Sequence, residues 1–208
     1  SKSKGNVIYA DELVEKFGVD AVRYYLLHEI PYSSDGNITY DLLIERINGD
    51  LANVLGNLVQ RTISMGNKYF DGIITNKNVN NELDDSLIEK INSLDHKVEE
   101  KMDNIEINAA ITEIFNLLRA SNKYIDETTP WVLAKDSNEK DRLETVIYNL
   151  LESIRISAVF LSPYLPETAE NIMKQINNNE NCFNYIDNNK YELIQPTPLF
   201  KRVDPSEI

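Results

Sequence analysis

The chain has 208 residues, of which 42% are hydrophobic and 26% charged, and a formal net charge of -13. This composition is typical of a soluble globular protein. It argues against a protein that coats nucleic acid through bulk positive charge, because phosphate contacts need local Lys and Arg.

A single cysteine, Cys182, excludes an internal disulfide and a cysteine-based metal cluster. The two histidines, His28 and His96, lie outside any ligand spacing, so we predict no metal site. No apolar run approaches the ~20 residues that a membrane helix needs. We therefore expect a cytoplasmic protein without a membrane partner.

Helical periodicity dominates the chain and predicts a mainly α fold. The predicted helices, in chain order, are 10–18, 20–29, 39–70, 84–103, 107–126, 130–135, 137–161 and one that begins near Pro163 or Pro166. We expect Gly18 to end the first helix, Asp20 to cap the second and Thr39 to cap the third. Turn chemistry with a short strand is predicted for 31–38, and an extended tail crossing the bundle follows residue 177.

The first candidate site is the opening stretch SKSKGNV. Lysine, small hydroxyl side chains and a Gly-Asn turn can wrap a phosphate, through backbone N–H groups and a point-charge ammonium. Ser1, Lys2 and Ser3 are its candidate residues. The pattern alone is weak, because such stretches are also common in disordered termini.

A second candidate lies on the long third helix and on the short one after Pro130. Asn53, Asn57 and Arg61 are spaced four residues apart and form a polar row, in which amide and guanidinium groups could read base edges. The indole of Trp131 could stack on an unpaired base. From pattern alone, the row also fits a solvated helix flank, and Trp131 also fits a plug at a bundle corner.

Taken together, these residues resemble one family. SKSKGN resembles the end of the KMSKS loop of class I aminoacyl-tRNA synthetases. The stretches FGVDAVRYYLLHEIPYSSDGNITYD, RINGDLANVLGNLVQRT, KYFDG and YIDETTPWVLAK resemble methionyl-tRNA synthetase in order and spacing, over most of the first 135 residues. TPLFKRVD is similar to the closing segment of that family.

The resemblance implies that the chain is the C-terminal part of a larger ligase. Residues 1–40 would hold the loop remnant and a small mixed stem-contact element, and 41–208 an anticodon-binding α-helical bundle. The Rossmann catalytic domain, where the family carries any zinc, would lie outside the chain, so we expect this part alone to be inactive. The parent enzyme would use ATP with Mg²⁺, and Lys2, between Ser1 and Ser3, would contact the ATP phosphates.

The resemblance also implies a partner and the roles of the bundle residues. The partner would be tRNA(Met), contacted at its anticodon loop and inner stem. Asn57 and Arg61 match the pair that reads the CAU anticodon, Trp131 matches the tryptophan that stacks on an anticodon base, and Asn53 and Pro130 match neighbours of that site. One departure is Tyr9-Ala10, where the family often has Asp-Pro.

Two alternatives remain at this stage. The chain could come from a cysteinyl, isoleucyl, leucyl or valyl relative within the same class of synthetases, although the Asn57, Arg61 and Trp131 set argues against it. It could also be a non-catalytic acidic helical bundle that binds other proteins, with a coincidental opening loop.

Overall fold

Helices account for most of the chain, as the sequence predicts. The computed structural model describes residues 9–30 and 38–207. The α-helices are α1 (Ala10–Phe17), α2 (Val19–Glu29), α3 (Tyr40–Arg46), α4 (Asn57–Phe70), α5 (Glu82–Asp103), α6 (Ile107–Thr128), α7 (Pro130–Leu133), α8 (Lys140–Leu161) and α9 (Pro166–Ile176). A π-helical segment (Ile47–Gly56) joins α3 to α4, and 3₁₀ turns cover Ser137–Glu139 and Pro205–Glu207.

Helix α8 lies at the centre of the bundle. Nearly every side chain from Leu143 to Leu161 is buried, and the helix contacts α4, α5, α6 and α9. A helix enclosed on all sides needs side chains that suit the interior around its whole circumference. Its seven buried polar residues therefore need partners inside the protein.

A two-stranded antiparallel sheet joins β1 (Ile73–Thr75) to β2 (Lys190–Glu192). Ile74 lies opposite Tyr191, and both side chains are fully buried. The sequence places these segments in a polar loop and an extended tail, because strands of three residues are too short to show alternation. The described residues 9–30 of the predicted mixed element form helices. The strand predicted for 31–38 falls on residues 31–37, which lie outside the described residues.

The stretch from α3 to α4 is continuous but not regular. Thr39 caps its start, as predicted, by accepting a hydrogen bond from the Leu42 N–H at 3.3 Å. The predicted uniform α-helix is wrong in its middle, because the backbone of Ile47–Gly56 is π-helical and its last bond runs from the Asn57 N–H to the Ala52 carbonyl. Each π turn contains more residues than an α turn, so side chains change face along this segment.

Two charged residues close to the polar row, Arg46 and Asp50, are bound to other elements. Arg46 turns toward α2 and pairs with Glu29. Asp50 is buried, where the Tyr24 hydroxyl donates to it at 2.9 Å and Arg119 pairs with it at 2.9 Å. Neither residue therefore adds charge to the row that contains Asn57.

Asp20 does not cap α2, contrary to the prediction. Gly18 ends α1 with a φ of 86°, as expected, and α2 begins directly at Val19. The buried Asp20 carboxylate instead accepts from the backbone N–H and the hydroxyl of Thr168, both at 2.7 Å. Thr168 lies in the first turn of α9, where N–H groups need acceptors and negative charge is stabilising. Asp20 is thus a long-range cap that fastens α2 to α9.

Replacing Asp20 with Ala should lower the free energy of unfolding by about 1–2 kcal/mol, the usual value of a helix cap. Urea denaturation followed by circular dichroism would measure the change. Asp11→Ala is the matched control, because Asp11 is exposed in the first turn of α1. An Asp20 variant as stable as the Asp11 variant would show that the contact with Thr168 adds nothing to the free energy of unfolding.

Candidate nucleic-acid interface

One face of α4 forms a wall of an open cleft. Its lining residues on this helix are spaced at three and four residues, which places them on one side of an α-helix: Asn57, Gln60, Arg61, Ser64 and Met65. The indole of Trp131 forms the opposite wall, and the cleft has a volume of about 420 Å³. The three residues singled out by the sequence, Asn57, Arg61 and Trp131, therefore meet at one place.

Trp131 reaches this cleft because the chain turns sharply between α6 and α7. Thr129 adopts the left-handed conformation, with φ 45° and ψ 61°, which is unfavourable for a β-branched residue. Pro130 is the first residue of α7 and is buried. Thr129 is the N-cap residue, and it accepts the first bonds of the turn through its carbonyl rather than through its side chain. Leu133 packs against the core, and the indole of Trp131 stays 43% exposed.

A half-exposed indole on a fixed turn can act as a stacking surface. Trp131 is 43% exposed and lines the cleft, which leaves surface for a flat partner. Stacking on aromatic side chains is a common way to hold unpaired bases.

Arg61 is the cationic residue in the cleft lining. Its Nη2 lies 3.8 Å from Asp126 Oδ1 on α6, and the two side chains are 45% and 71% exposed. An exposed pair at this distance is weak. The guanidinium can therefore exchange Asp126 for a ligand at little cost. Asp126 was not predicted as a partner of Arg61, because it lies on another helix.

The two predicted neighbours lie beside the cleft. Pro130 precedes Trp131 and is buried at the start of α7. Asn53 lies one turn before Asn57, and its Oδ1 accepts from Asn57 Nδ2 at 3.3 Å and from Arg202 Nη2. Arg202 belongs to the C-terminal tail and was not identified from the sequence.

A second, smaller cleft of about 100 Å³ adjoins the first one. Asn57 and Gln60 line both clefts, and the tail lines the smaller one with Pro198, Leu199, Phe200 and Arg202. The tail is therefore part of the site.

The opening-loop candidates Ser1, Lys2 and Ser3 lie outside the described residues. Among residues 9–30 and 38–207, no three His, Cys, Asp or Glu side chains are grouped so that they could hold a metal ion. No helix in that part of the chain is long and apolar enough to cross a membrane.

Comparison with known families and relatives gives one consistent result. Residues 1–63 match the family of class I tRNA synthetases (M), and residues 74–202 match the anticodon binding domain of methionyl tRNA ligase. The methionine–tRNA ligase of Clostridium acetobutylicum is 54% identical over 177 residues, which cover 85% of this chain and 28% of that protein. The enzyme of Lactococcus lactis is 42% identical over the whole chain and 32% of its own length.

Solved structures agree with this result. The apo form of Mycobacterium tuberculosis methionyl-tRNA synthetase has a TM-score of 0.88 at 33% identity, covering 96% of this chain and 42% of its own. The same enzyme in complex with methionyl-adenylate has a TM-score of 0.90 at 34% identity, covering 97% and 41%. Among the curated relatives described above, the chain spans about a third of each protein's length.

Proposed function

Because the chain belongs to the methionyl-tRNA synthetase family and contains its anticodon-binding domain, we propose that the cleft between α4 and α7 recognises the CAU anticodon of tRNA(Met). The observation that carries this proposal is the meeting of Asn57, Arg61 and Trp131 in that cleft. The family match also decides against both alternatives, a synthetase for another amino acid and a protein-interaction bundle.

The chemistry of the cleft suits an unstacked anticodon base. Unpaired loop bases expose their Watson–Crick edges, which can be read by hydrogen bonds while an aromatic ring holds the base plane. Trp131 supplies the ring, Arg61 supplies donors, and Asn57 offers both a donor and an acceptor. One such base contact discriminates by roughly 1–3 kcal/mol.

The charge of the chain favours recognition of bases over recognition of phosphates. With a net charge of -13, the protein as a whole repels RNA, so specific contacts in the cleft must supply most of the binding free energy. Few phosphates would be neutralised, and we expect the affinity to fall only gently as salt rises.

The ligation reaction is proposed for the longer protein, since the relatives are about three times the length of this chain. That protein would activate methionine with ATP and transfer it to the terminal adenosine of tRNA(Met), in the cytoplasm. Within this chain, Lys2 would stabilise the ATP phosphates, with Ser1 and Ser3 in the same loop. Residues 1–40 would contact the inner side of the tRNA, and residues 41–208 would hold the anticodon.

The proposal is tested by binding of the chain to a CAU anticodon stem-loop RNA, measured by fluorescence anisotropy at low and moderate salt. A stem-loop with one anticodon base changed is the control RNA. We expect a clear preference for CAU. Equal affinity for the two RNAs, or no binding to either at low salt, would contradict the proposal.

Replacing Arg61 with Ala should reduce that preference by about tenfold, since one base contact is worth roughly 1–3 kcal/mol. Lys97→Ala is the matched control, because it also removes one positive charge, but on the exposed surface of α5. The same loss in both variants would indicate a general effect of charge. A preference that survives in Arg61→Ala would remove Arg61 from the site.

A further inference from the structure

Residues 198–203, which we call the C-terminal strap, are fixed to the bundle close to the cleft. Leu199, Phe200 and Val203 pack against the core. The side-chain amide of Asn48 binds both backbone groups of Val203: Nδ2 donates to its carbonyl and Oδ1 accepts from its N–H, each at 2.8 Å. The strap therefore has a defined position along the π-helical segment.

The π-helical geometry explains how the strap reaches the site. Asn48 and Asn53 are five residues apart, which is the hydrogen-bond spacing of a π-helix. In a regular α-helix the two side chains would point about 140° apart. Here both contact the strap, Asn48 at Val203 and Asn53 at Arg202.

The contact with Arg202 fixes the orientation of two amides. A guanidinium group has donors and no acceptor, so the Asn53 atom that faces Arg202 must be the oxygen. The same oxygen accepts from Asn57 Nδ2 at 3.3 Å. Within the described part of the chain, Asn57 Oδ1 accepts no hydrogen bond and so remains available to a ligand.

We propose that Arg202 is a positioning residue for base selection, which holds Asn53 and Asn57 so that Asn57 presents an acceptor to the anticodon. An acceptor that faces C4 of a pyrimidine or C6 of a purine selects cytosine and adenine, which carry an amino group at that position, over uracil and guanine, which carry a carbonyl there. The first two bases of CAU both have such an amino group. This inference rests on the proposed function and adds to it the source of the selectivity.

An exposed arginine could instead contact an RNA phosphate, and the loss of such a contact would affect binding differently. Loss of a phosphate contact weakens binding to every RNA alike and reduces the salt dependence. Loss of the positioning contact changes the ratio of affinities between RNAs, because the Asn53 amide can then turn and offer its nitrogen to Asn57.

The test measures the affinity of the 208-residue chain for three stem-loops with anticodons CAU, UAU and CGU. UAU replaces the C4 amino group of the first base by a carbonyl, and CGU replaces the C6 amino group of the second base by a carbonyl while adding an amino group at C2. Arg202→Ala should reduce the preference for CAU over at least one of them by about fivefold, a fraction of one base contact. Arg202→Lys should keep the preference, because ammonium also only donates, whereas Arg202→Gln should lose it, because an amide can also accept. Lys201→Ala, which removes the adjacent exposed charge, should leave the ratio unchanged.

Each outcome bears on the inference. A preference retained in Arg202→Ala, or an equal loss of affinity for all three RNAs, would overturn the role of Arg202 and leave the proposed function standing. An unaltered chain that shows no preference for CAU would overturn the proposed function itself, and the role of Arg202 with it.

Discussion

Replacing Arg155 with Ala is expected to lower the free energy of unfolding by about 3–5 kcal/mol, the largest loss of stability we expect from a single substitution in this chain. Arg155 and Glu152 are both fully buried in α8 and pair at 2.8 Å. Removing the guanidinium would leave the Glu152 carboxylate buried without its counter-charge. That loss far exceeds the value of an exposed ion pair.

The pair also holds the start of the C-terminal tail. Arg155 donates to the backbone carbonyls of Glu180, Cys182 and Asn184, at 2.8–3.3 Å. Glu152 accepts from the Ile186 N–H at 2.9 Å and from the Tyr191 hydroxyl. The Arg155 substitution therefore removes the anchors of a whole loop.

Neighbouring tyrosines strengthen the same network. Burial, and then the nearby charge of Glu152, raise the pKa of Tyr191 and of Tyr148 well above the ordinary value near 10. Both hydroxyls stay protonated and can donate, Tyr191 to Glu152 and Tyr148 to the Ile186 carbonyl. The tail is thus attached to α8 by groups that hold their protons at physiological pH.

Urea denaturation followed by circular dichroism would measure the effect of Arg155→Ala. Arg61→Ala is the matched control, because its partner Asp126 is exposed and the pair is long; we expect a change within about 0.5 kcal/mol. A small loss in Arg155→Ala, similar to that of the control, would show that the buried pair is replaceable by solvent.

The helices could be predicted from the sequence because their signals are local. Apolar spacing, the Thr39 cap, the Gly18 stop and Pro130 at a helix start each act within a few residues. The exception is the π-helical segment. Its apolar residues are compatible with an α period, and the contacts that Asn48 and Asn53 make with the strap come from a distant part of the chain.

The long-range polar contacts could not be predicted. Asp20 looks like the cap of the helix it belongs to, yet its acceptor serves α9, 148 residues away. Glu152 and Arg155, three residues apart, look like an exposed helical pair and are buried instead. Such choices depend on which elements pack together, and a periodic pattern does not contain that information.

In the candidate site, too, the local features could be predicted and the long-range ones could not. Asn57 and Arg61 lie on one helix, so their common face follows from their spacing. That Trp131 faces them depends on the left-handed turn at Thr129, which is an unusual conformation for that residue. Their roles in one site are implied by the family resemblance; the structure places all three in one cleft, and their role in binding stays a prediction. Arg202, from the tail, was not predicted at all.

Replacing Trp131 with Ala is expected to weaken binding of the CAU stem-loop by roughly 5- to 150-fold, since stacking of one base is worth about 1–3 kcal/mol. Trp131→Phe should keep part of the affinity, because a smaller ring can still stack. Both variants should have nearly the same midpoint of urea unfolding as the unaltered chain, because Trp131 is 43% exposed. A loss of RNA affinity without a loss of stability would show that Trp131 acts in binding and not in packing of the bundle.

The fluorescence of the chain provides a second test, because Trp131 is its only tryptophan. A base stacked on the indole should quench its emission, and the quenching should saturate at the same RNA concentration as the anisotropy. The base-changed stem-loop should quench only at higher concentration. Saturated binding without a change in emission would show that the RNA binds away from Trp131, and the cleft between α4 and α7 would then no longer explain anticodon recognition. Quenching by CAU that is lost when one base is changed would tie selectivity directly to the cleft.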